Sequence, residues 1–230
     1  MQFSNVQLLK TADGSFTLLQ QDLMQTYHSV NGALQEAKHV FLETGLKHFR
    51  MQSQVQKLSI LEVGFGTGLN FLVTADYCSK ENIQLNYVGV EAFPVKPEVM
   101  QKIEFENVIS AEIWKNFLTN YHLLIEGNNI EINKNTSLRM EQKTILSTSL
   151  PPIFDIIYYD AFAPAIQPEM WSQETIQHVV SFLKPGGIFV TYSITGNLKR
   201  ILKGLGFTIE KPKGAAGKRE MLRATLKQEA

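Results

Sequence analysis

Apolar positions recur in two different periods along this chain, and the switches between them outline alternating strands and helices. Leu58 to Val63, Leu85 to Val90, Ile153 to Tyr159 and Gly187 to Tyr192 are short runs rich in β-branched and aromatic residues. Such runs suit strands covered on both faces, as in a parallel sheet. Helical spacing begins at about Gly68 and again at about Pro97, then covers Pro168 to Leu183 and Thr195 to Leu205, where Gly206 ends it. Asn116 to Asn133 reads as the end of a helix followed by an apolar hairpin around Gly127-Asn128-Asn129. Phe207 to Lys211 and Glu220 to Leu226 read as two closing strands that can pair antiparallel at one edge.

Ahead of this βα alternation, Leu8-Leu9 and Phe16 to Leu19 flank the turn dipeptide Asp13-Gly14, which predicts a hairpin. An amphipathic helix follows, with Leu34, Ala37, Phe41 and Val40 on one face and Ser29 or Asn31 as its cap. The pattern therefore predicts an α/β chain in one compact domain, with residues 1–56 an extension packed on a core of residues 57–230.

The junction between the first core strand and its helix carries the strongest chemical signal. Leu61 to Leu72 reads LEVGFGTGLNFL, with glycines at 64, 66 and 68. Without Cβ atoms these residues let a ligand approach the backbone, and the amides opening the helix can donate to it. A dinucleotide fingerprint spaces its glycines G-x-G-x-x-G. The form E-x-G-x-G-x-G, led here by Glu62, is that of Rossmann-like S-adenosylmethionine (SAM) methyltransferases. Glu62 is placed to accept hydrogen bonds from the cofactor's amino-acid end. Glu91 closes the next strand about twenty residues further on, where a carboxylate accepts both ribose hydroxyls.

Asp160 directly follows the strand Ile153 to Tyr159 and opens Asp160-Ala161-Phe162-Ala163-Pro164. Ligands of open α/β sheets bind beyond the carboxyl ends of the strands, so Asp160 faces the methyl donor. Its carboxylate can orient an amine, take its proton and stabilise charge developing on nitrogen. Phe162 can stack on a planar base or belong to the core, and Trp171 is a packing residue. His28 and His39 read as hydrogen-bonded structural histidines.

Composition narrows the picture. The 230 residues carry no net charge, yet residues 1–183 sum to −7 and residues 184–230 to +7. The basic end is either a solvated face or a surface for a polyanion. The single cysteine, Cys78, cannot form an internal disulfide and reads as a small core residue. No apolar run approaches the ~18 residues needed to cross a bilayer, and Met1 to Lys10 lacks the blocks of a signal peptide. The chain thus reads as cytoplasmic, without a membrane partner. No His/Cys/Asp cluster has metal-ligand spacing, so no metal is expected.

Four ordered motifs carry a resemblance. They are Tyr27-His28-Ser29-x-x-Gly32-Ala33-x-x-Glu36-Ala37-x-His39-Val40-Phe41-Leu42, then Gly64-x-Gly66-Thr67-Gly68-Leu69-Asn70-Phe71-Leu72. Asp160 to Pro164 with Pro168-x-Met170-Trp171 is the third, and Gly214-x-x-x-Lys218-Arg219-Glu220-Met221-Leu222 the fourth. Together they resemble the MnmD/MnmC-type tRNA 5-aminomethyl-2-thiouridine methyltransferases, from about Leu9 to Leu226. The length leaves no room for the flavin oxidase that some relatives carry, so the chain resembles the stand-alone form.

The resemblance implies a Rossmann-like SAM-dependent methyltransferase fold, with a mostly parallel seven-stranded sheet and one antiparallel edge strand. It implies methyl transfer from SAM to the aminomethyl nitrogen of the tRNA wobble uridine, giving 5-methylaminomethyl-2-thiouridine. Glu62, Gly64, Phe65, Gly66, Thr67, Gly68, Asn70 and Glu91 then hold the cofactor, with Tyr27 and Glu36 closing over cofactor or substrate. Asp160 faces the reacting amine. Phe162 and Pro164 lie on the substrate side, and Lys199, Arg200, Lys218 and Arg219 meet phosphates of the tRNA anticodon region. Lys203, Lys211, Lys213 and Arg223 join that basic set, which predicts an affinity that falls with salt. The family usually shows Gly-Asp after its third sheet strand where this chain has Lys143-Thr144. The adenine contacts are therefore left open between backbone groups and Glu141. Two other readings stay open at this point: a SAM-dependent N-methyltransferase of a small amine or protein, and a noncatalytic module binding SAM or RNA.

Overall fold

A computed structural model of the chain describes residues 5–215 and 217–228. At its centre lies an eight-stranded sheet. Strand β4 (Lys57–Val63) is flanked in parallel by β5 (Gln84–Val90) and β8 (Phe154–Tyr159). Beyond β5 come β7 (Thr136–Glu141), parallel, and β6 (Ile130–Asn133), antiparallel. Beyond β8 come β9 (Leu183–Thr191), parallel, then β11 (Leu222–Leu226) and β10 (Phe207–Glu210), each antiparallel to its neighbour. The alternation of side chains along β4 sends Leu58 and Ile60 into one buried cluster and Leu61 and Val63 into another, so both faces are covered.

The methyltransferase-like α/β sheet is the expected one, with one strand more than seven and a second reversed strand. The extra strand is β6, which pairs antiparallel with β7 in a hairpin that does not turn at Gly127. With φ of +86°, Gly127 instead closes helix α4 (Ala111–Ile125), its amide donating to Leu124 O at 3.0 Å. The hairpin turns at Lys134-Asn135, where Asn133 Oδ1 accepts the Asn135 amide at 2.9 Å. Strand β11 lies one place in from the edge, with β10 outside it.

The remaining helices are α2 (Leu69–Lys80), the single turn α3 (Pro97–Met100), α5 (Gln173–Val180) and α6 (Gly196–Gly204). The stretch from Pro168 is not one helix. A 3-10 turn over Pro168–Trp171 stops at Ser172, whose Oγ accepts the Thr175 amide at 3.2 Å and caps α5 afresh. Thr195 caps α6 through the Leu198 amide at 3.1 Å.

In the amino-terminal part, β1 (Val6–Lys10) and β2 (Phe16–Gln20) form the hairpin, and β3 (Gln25–Thr26) adds to β2. Helix α1 runs through Ala33–Glu36, a π-helical stretch Ala37–Lys47 and a last turn His48–Ser53. Its cap is supplied by the hairpin loop rather than by Ser29 or Asn31. Ser15 Oγ accepts the Leu34 amide at 3.1 Å and Asp13 Oδ2 the Gln35 amide at 2.9 Å. Helix α1 packs on the sheet so closely that a Cβ on Gly45 would sit 3.1 Å from Tyr158 and Val190. Leu18, Phe41 and Leu46 share one buried cluster with Ile60 and Phe71, which fixes the extension over the sheet. Cys78 is fully buried there, and burial pushes its thiol up to about 12, which leaves it without nucleophilic character. Among the described residues no helix is long and apolar enough to cross a membrane, and no three His, Cys, Asp or Glu side chains converge as metal ligands.

Candidate active site

The chain crosses from one side of β4 to the other between β7 and β8, and a cleft of about 720 Å3 opens at the carboxyl ends of the strands there. Its walls are Val63 to Gly66 after β4, Glu91 to Phe93 after β5, Lys143 to Leu146 after β7, Asp160 to Ala163 after β8 and Tyr192 after β9. The extension contributes Gln25 to Val30 and Glu36, and the loop before β11 contributes Lys218.

Gly64, Gly66 and Gly68 have φ of +87°, +53° and +75°, conformations that side chains rarely adopt. Contact tightens the requirement. A Cβ on Gly64 would lie 2.5 Å from Asp160 O, and one on Gly66 would lie 3.0 Å from the Tyr27 ring. Gly89 in β5 is needed in turn for Phe65, which a Cβ there would meet at 2.3 Å. The loop thus holds Gly64 against Asp160 and presents Gly66 below Tyr27.

Glu91 spans this loop. Its two oxygens accept the Gly66 amide and the Phe93 amide, each at 3.0 Å, and burial raises its proton affinity against those two bonds. Glu62 does not line the cleft, contrary to the expectation that it meets the cofactor directly. It shares the pleat side of Leu58 and Ile60, which turns it into the interior, where it has no exposed surface. Asn70 Nδ2 donates to one of its oxygens at 2.8 Å and the Tyr87 hydroxyl to the other at 2.7 Å. Burial holds its carboxyl well above the usual range. Glu62 therefore acts on the site through Asn70, whose Nδ2 also donates to Asp160 Oδ2 at 2.8 Å. Thr67, Gly68 and Asn70 also stand behind the cleft wall rather than in it, while Phe65 reaches it.

Asp160 is partly buried at the end of β8. Desolvation, reinforced by the nearby Glu36 carboxylate, pushes its carboxyl up to about 8 against the opposing pull of Asn70 and Lys218. Glu36, 8% exposed, accepts the Ser29 amide at 2.8 Å and the Lys218 ammonium at 3.1 Å. Tyr27 crosses the cleft to meet Phe162 edge to face, ring centres 5.6 Å apart, and burial raises its hydroxyl above the ordinary range. Trp171 is buried and donates to Phe162 O at 2.8 Å, so it pins the loop after Asp160. His28 sits beside Thr17 Oγ1 and burial lowers it to about 4, which keeps it neutral; His39 bonds Lys213 O at 2.7 Å.

Other expected residues lie elsewhere. Pro164, Lys199, Arg200 and Arg219 do not line the cleft, and Lys199 and Arg200 sit on α6. Arg223 is committed to Glu210, which it meets twice at 2.9 Å, and to Thr44 O. Glu141 pairs with Arg139 and Lys143 instead of entering the cleft, whereas Lys143-Thr144-Ile145-Leu146 lines it. Sequence reasoning missed Tyr192, although it ends a buried strand on the same rule that singled out Glu91 and Asp160.

A nucleotide-sized cleft over a glycine loop, with a carboxylate at the end of the adjacent strand, defines a cofactor-binding α/β protein of the methyltransferase type. The model of a family described as S-adenosyl-L-methionine-dependent methyltransferase matches residues 109–227, and the chain belongs to that family. The chain is also 33% identical over 204 residues to the tRNA 5-methylaminomethyl-2-thiouridine biosynthesis bifunctional protein MnmC of Leptospira borgpetersenii serovar Hardjo-bovis, covering 85% of this chain and 31% of that protein. It is 31% identical to the protein of that name in Leptospira interrogans, over 92% of this chain and 34% of the relative. The chain therefore spans about a third of the length of these curated relatives. The crystal structure of MnmC2 from Aquifex aeolicus superposes with a TM-score of 0.75 at 22% identity, over 98% of this chain and 71% of that one, and shares the fold.

Proposed function

We propose that the protein transfers a methyl group from SAM to the aminomethyl nitrogen of 5-aminomethyl-2-thiouridine at the tRNA wobble position, giving 5-methylaminomethyl-2-thiouridine. The observation that carries this reading is Asp160, a carboxyl of raised proton affinity in a glycine-loop cleft, tied by Asn70 to the interior. The resemblance of two relatives bearing the MnmC name supports the tRNA substrate.

The residues present suit SAM. Gly64 and Gly66 present backbone without Cβ atoms to the cleft, and the Glu91 carboxylate that accepts the Gly66 amide stands in the same wall. When bound, the cofactor supplies a methyl carbon activated by a sulfonium. Glu91, at the end of β5, would hold the ribose hydroxyls, and Lys143 to Leu146 would flank the adenine by backbone and aliphatic contact. Tyr27 and Phe162 narrow the cleft and exclude water from the reacting nitrogen.

An alkylammonium has no lone pair and cannot attack. Asp160, once ionised, takes the proton: the N–H bond breaks, its electron pair stays on nitrogen, and the proton goes to a carboxylate oxygen. Positioning supplies most of the remaining acceleration, because the donor methyl is already activated. Exposed Lys203, Lys211, Lys213 and Arg219, with Lys199 and Arg200 on α6, would meet the RNA backbone without reading its sequence.

The test incubates the protein with labelled SAM and tRNA from cells lacking this methylation, followed by digestion and mass identification of the nucleosides. The methylaminomethyl nucleoside is expected, and Asp160→Ala loses turnover while retaining SAM binding. Label that fails to enter tRNA but enters small amines or protein moves the substrate assignment to those acceptors. An Asp160→Ala enzyme of near-normal rate removes the carboxylate's role.

A further inference from the structure

Lys218 is a basic side chain that turns into the cleft. Its ammonium donates to Glu36 Oε1 at 3.1 Å and stands 4.1 Å from the centre of the Tyr192 ring. Both partners are held from behind. The second Glu36 oxygen accepts the Ser29 amide at 2.8 Å, and the Tyr192 hydroxyl donates to Ala161 O at 2.9 Å, one residue past Asp160. A fixed carboxylate beside an aromatic face is the chemistry that binds an alkylammonium. Lys218 itself is not fixed in this way. Its side chain is 44% exposed, and a partly solvated ion pair of that kind is weak enough for a competing cation to displace.

We propose that the Glu36 carboxylate and the Tyr192 ring face form the subsite for the substrate's alkylammonium group, and that Lys218 fills it as an internal cation until the substrate arrives. This rests on the reading that the methyl acceptor is an amine nitrogen. The subsite lies in the same cleft as Asp160, so an ammonium seated there has a proton acceptor within the site. Lys218 also has somewhere to go. Its loop carries Lys213 and Arg219, and RNA phosphates offer its ammonium an alternative anion when the polynucleotide docks. The displaced lysine thereby couples opening of the amine subsite to arrival of an RNA, and it holds free amines out in the meantime.

The test measures binding of butylammonium and of its neutral isostere 1-butanol to the full chain saturated with S-adenosylhomocysteine, at pH 7, by calorimetry or NMR titration. Lys218→Met binds butylammonium about tenfold more tightly than wild type, the size expected for removing a cation held by one charge-assisted hydrogen bond and one ring contact. Its affinity for 1-butanol stays the same. Lys218→Arg keeps the weak wild-type affinity, and Glu36→Gln added to Lys218→Met abolishes the gain, while the glutamine oxygen still accepts from Ser29. No gain in Lys218→Met, an equal gain for 1-butanol, or a gain that survives Glu36→Gln each overturns the proposal. Lys218→Gln supplies the same comparison should the methionine variant not fold. The readout is equilibrium binding of a small cation, so it can fail while tRNA methylation stands, and the methylation assay can fail while the subsite holds.

Discussion

Asp160→Asn removes one ionisation and little else, because an asparagine oxygen can still accept from Asn70 Nδ2. In the folded chain the Asp160 carboxyl titrates at about 8, raised by desolvation and by Glu36, whereas in the unfolded chain it titrates near its ordinary 3.8. Between those pH values the folded state holds a proton that the unfolded state has lost. Stability therefore falls as pH rises across this window, by about 1.4 kcal/mol for each pH unit at most. From pH 5.5 to 8.5 that ceiling is about 3 kcal/mol, and the partial exposure of Asp160 reduces it to about 2 kcal/mol. The asparagine variant escapes this loss. Urea unfolding of both proteins at pH 5.5 and pH 8.5, without cofactor, isolates the effect, since titrating groups not coupled to Asp160 cancel in the double difference. The advantage of Asp160→Asn over wild type should grow by about 2 kcal/mol between the two pH values, a midpoint shift of about 1 M at a slope of about 2 kcal/mol per molar urea. An advantage that stays constant, or shrinks with rising pH, refutes the claim that the folded protein penalises this charge. The same variant should have lost methyl transfer, which makes the residue a stability cost retained for chemistry.

Two further substitutions probe the loop and its acid. Gly64→Ala puts a Cβ 2.5 Å from Asp160 O at a φ of +87°, so the β4 and β8 ends must part. A loss of about 2–4 kcal/mol in urea unfolding is expected, and a loss below about 0.5 kcal/mol contradicts the packing argument. Glu91→Gln leaves one acceptor for two amides now shared between Gly66 and Phe93, and removes the charge facing the cleft. Calorimetry should show SAM binding weakened about 10- to 100-fold, in line with one or two lost charge-assisted hydrogen bonds, with kcat at saturating SAM within about threefold. Unchanged affinity removes Glu91 from the cofactor site.

Why some of this site was legible in the sequence and some was not follows from how far apart the cooperating residues lie. The glycine loop, Glu91 and Asp160 each occupy the end of an apolar run, and the rule that ligands gather at strand carboxyl ends needs only the run and its end. Glu62 shows what that rule omits. It leads the glycine motif, but the two-residue period of β4 groups it with Leu58 and Ile60, so its position in the motif and its direction in the pleat disagree, and the pleat decides. The grouping of Glu36 with Lys218 was out of reach for another reason. Glu36 and Lys218 stand 182 positions apart, on elements whose approach depends on α1 packing against β8 and β9 through Gly45. No local pattern encodes that approach. Each of the two residues, read alone, is an ordinary charge beside a helix or in a basic loop, and only closure of the extension over the sheet turns the pair into a charge set acting on Asp160. It follows that a substitution loosening this closure, with neither residue touched, should lower the proton affinity of Asp160, because desolvation and the Glu36 charge raise it more than Lys218 lowers it.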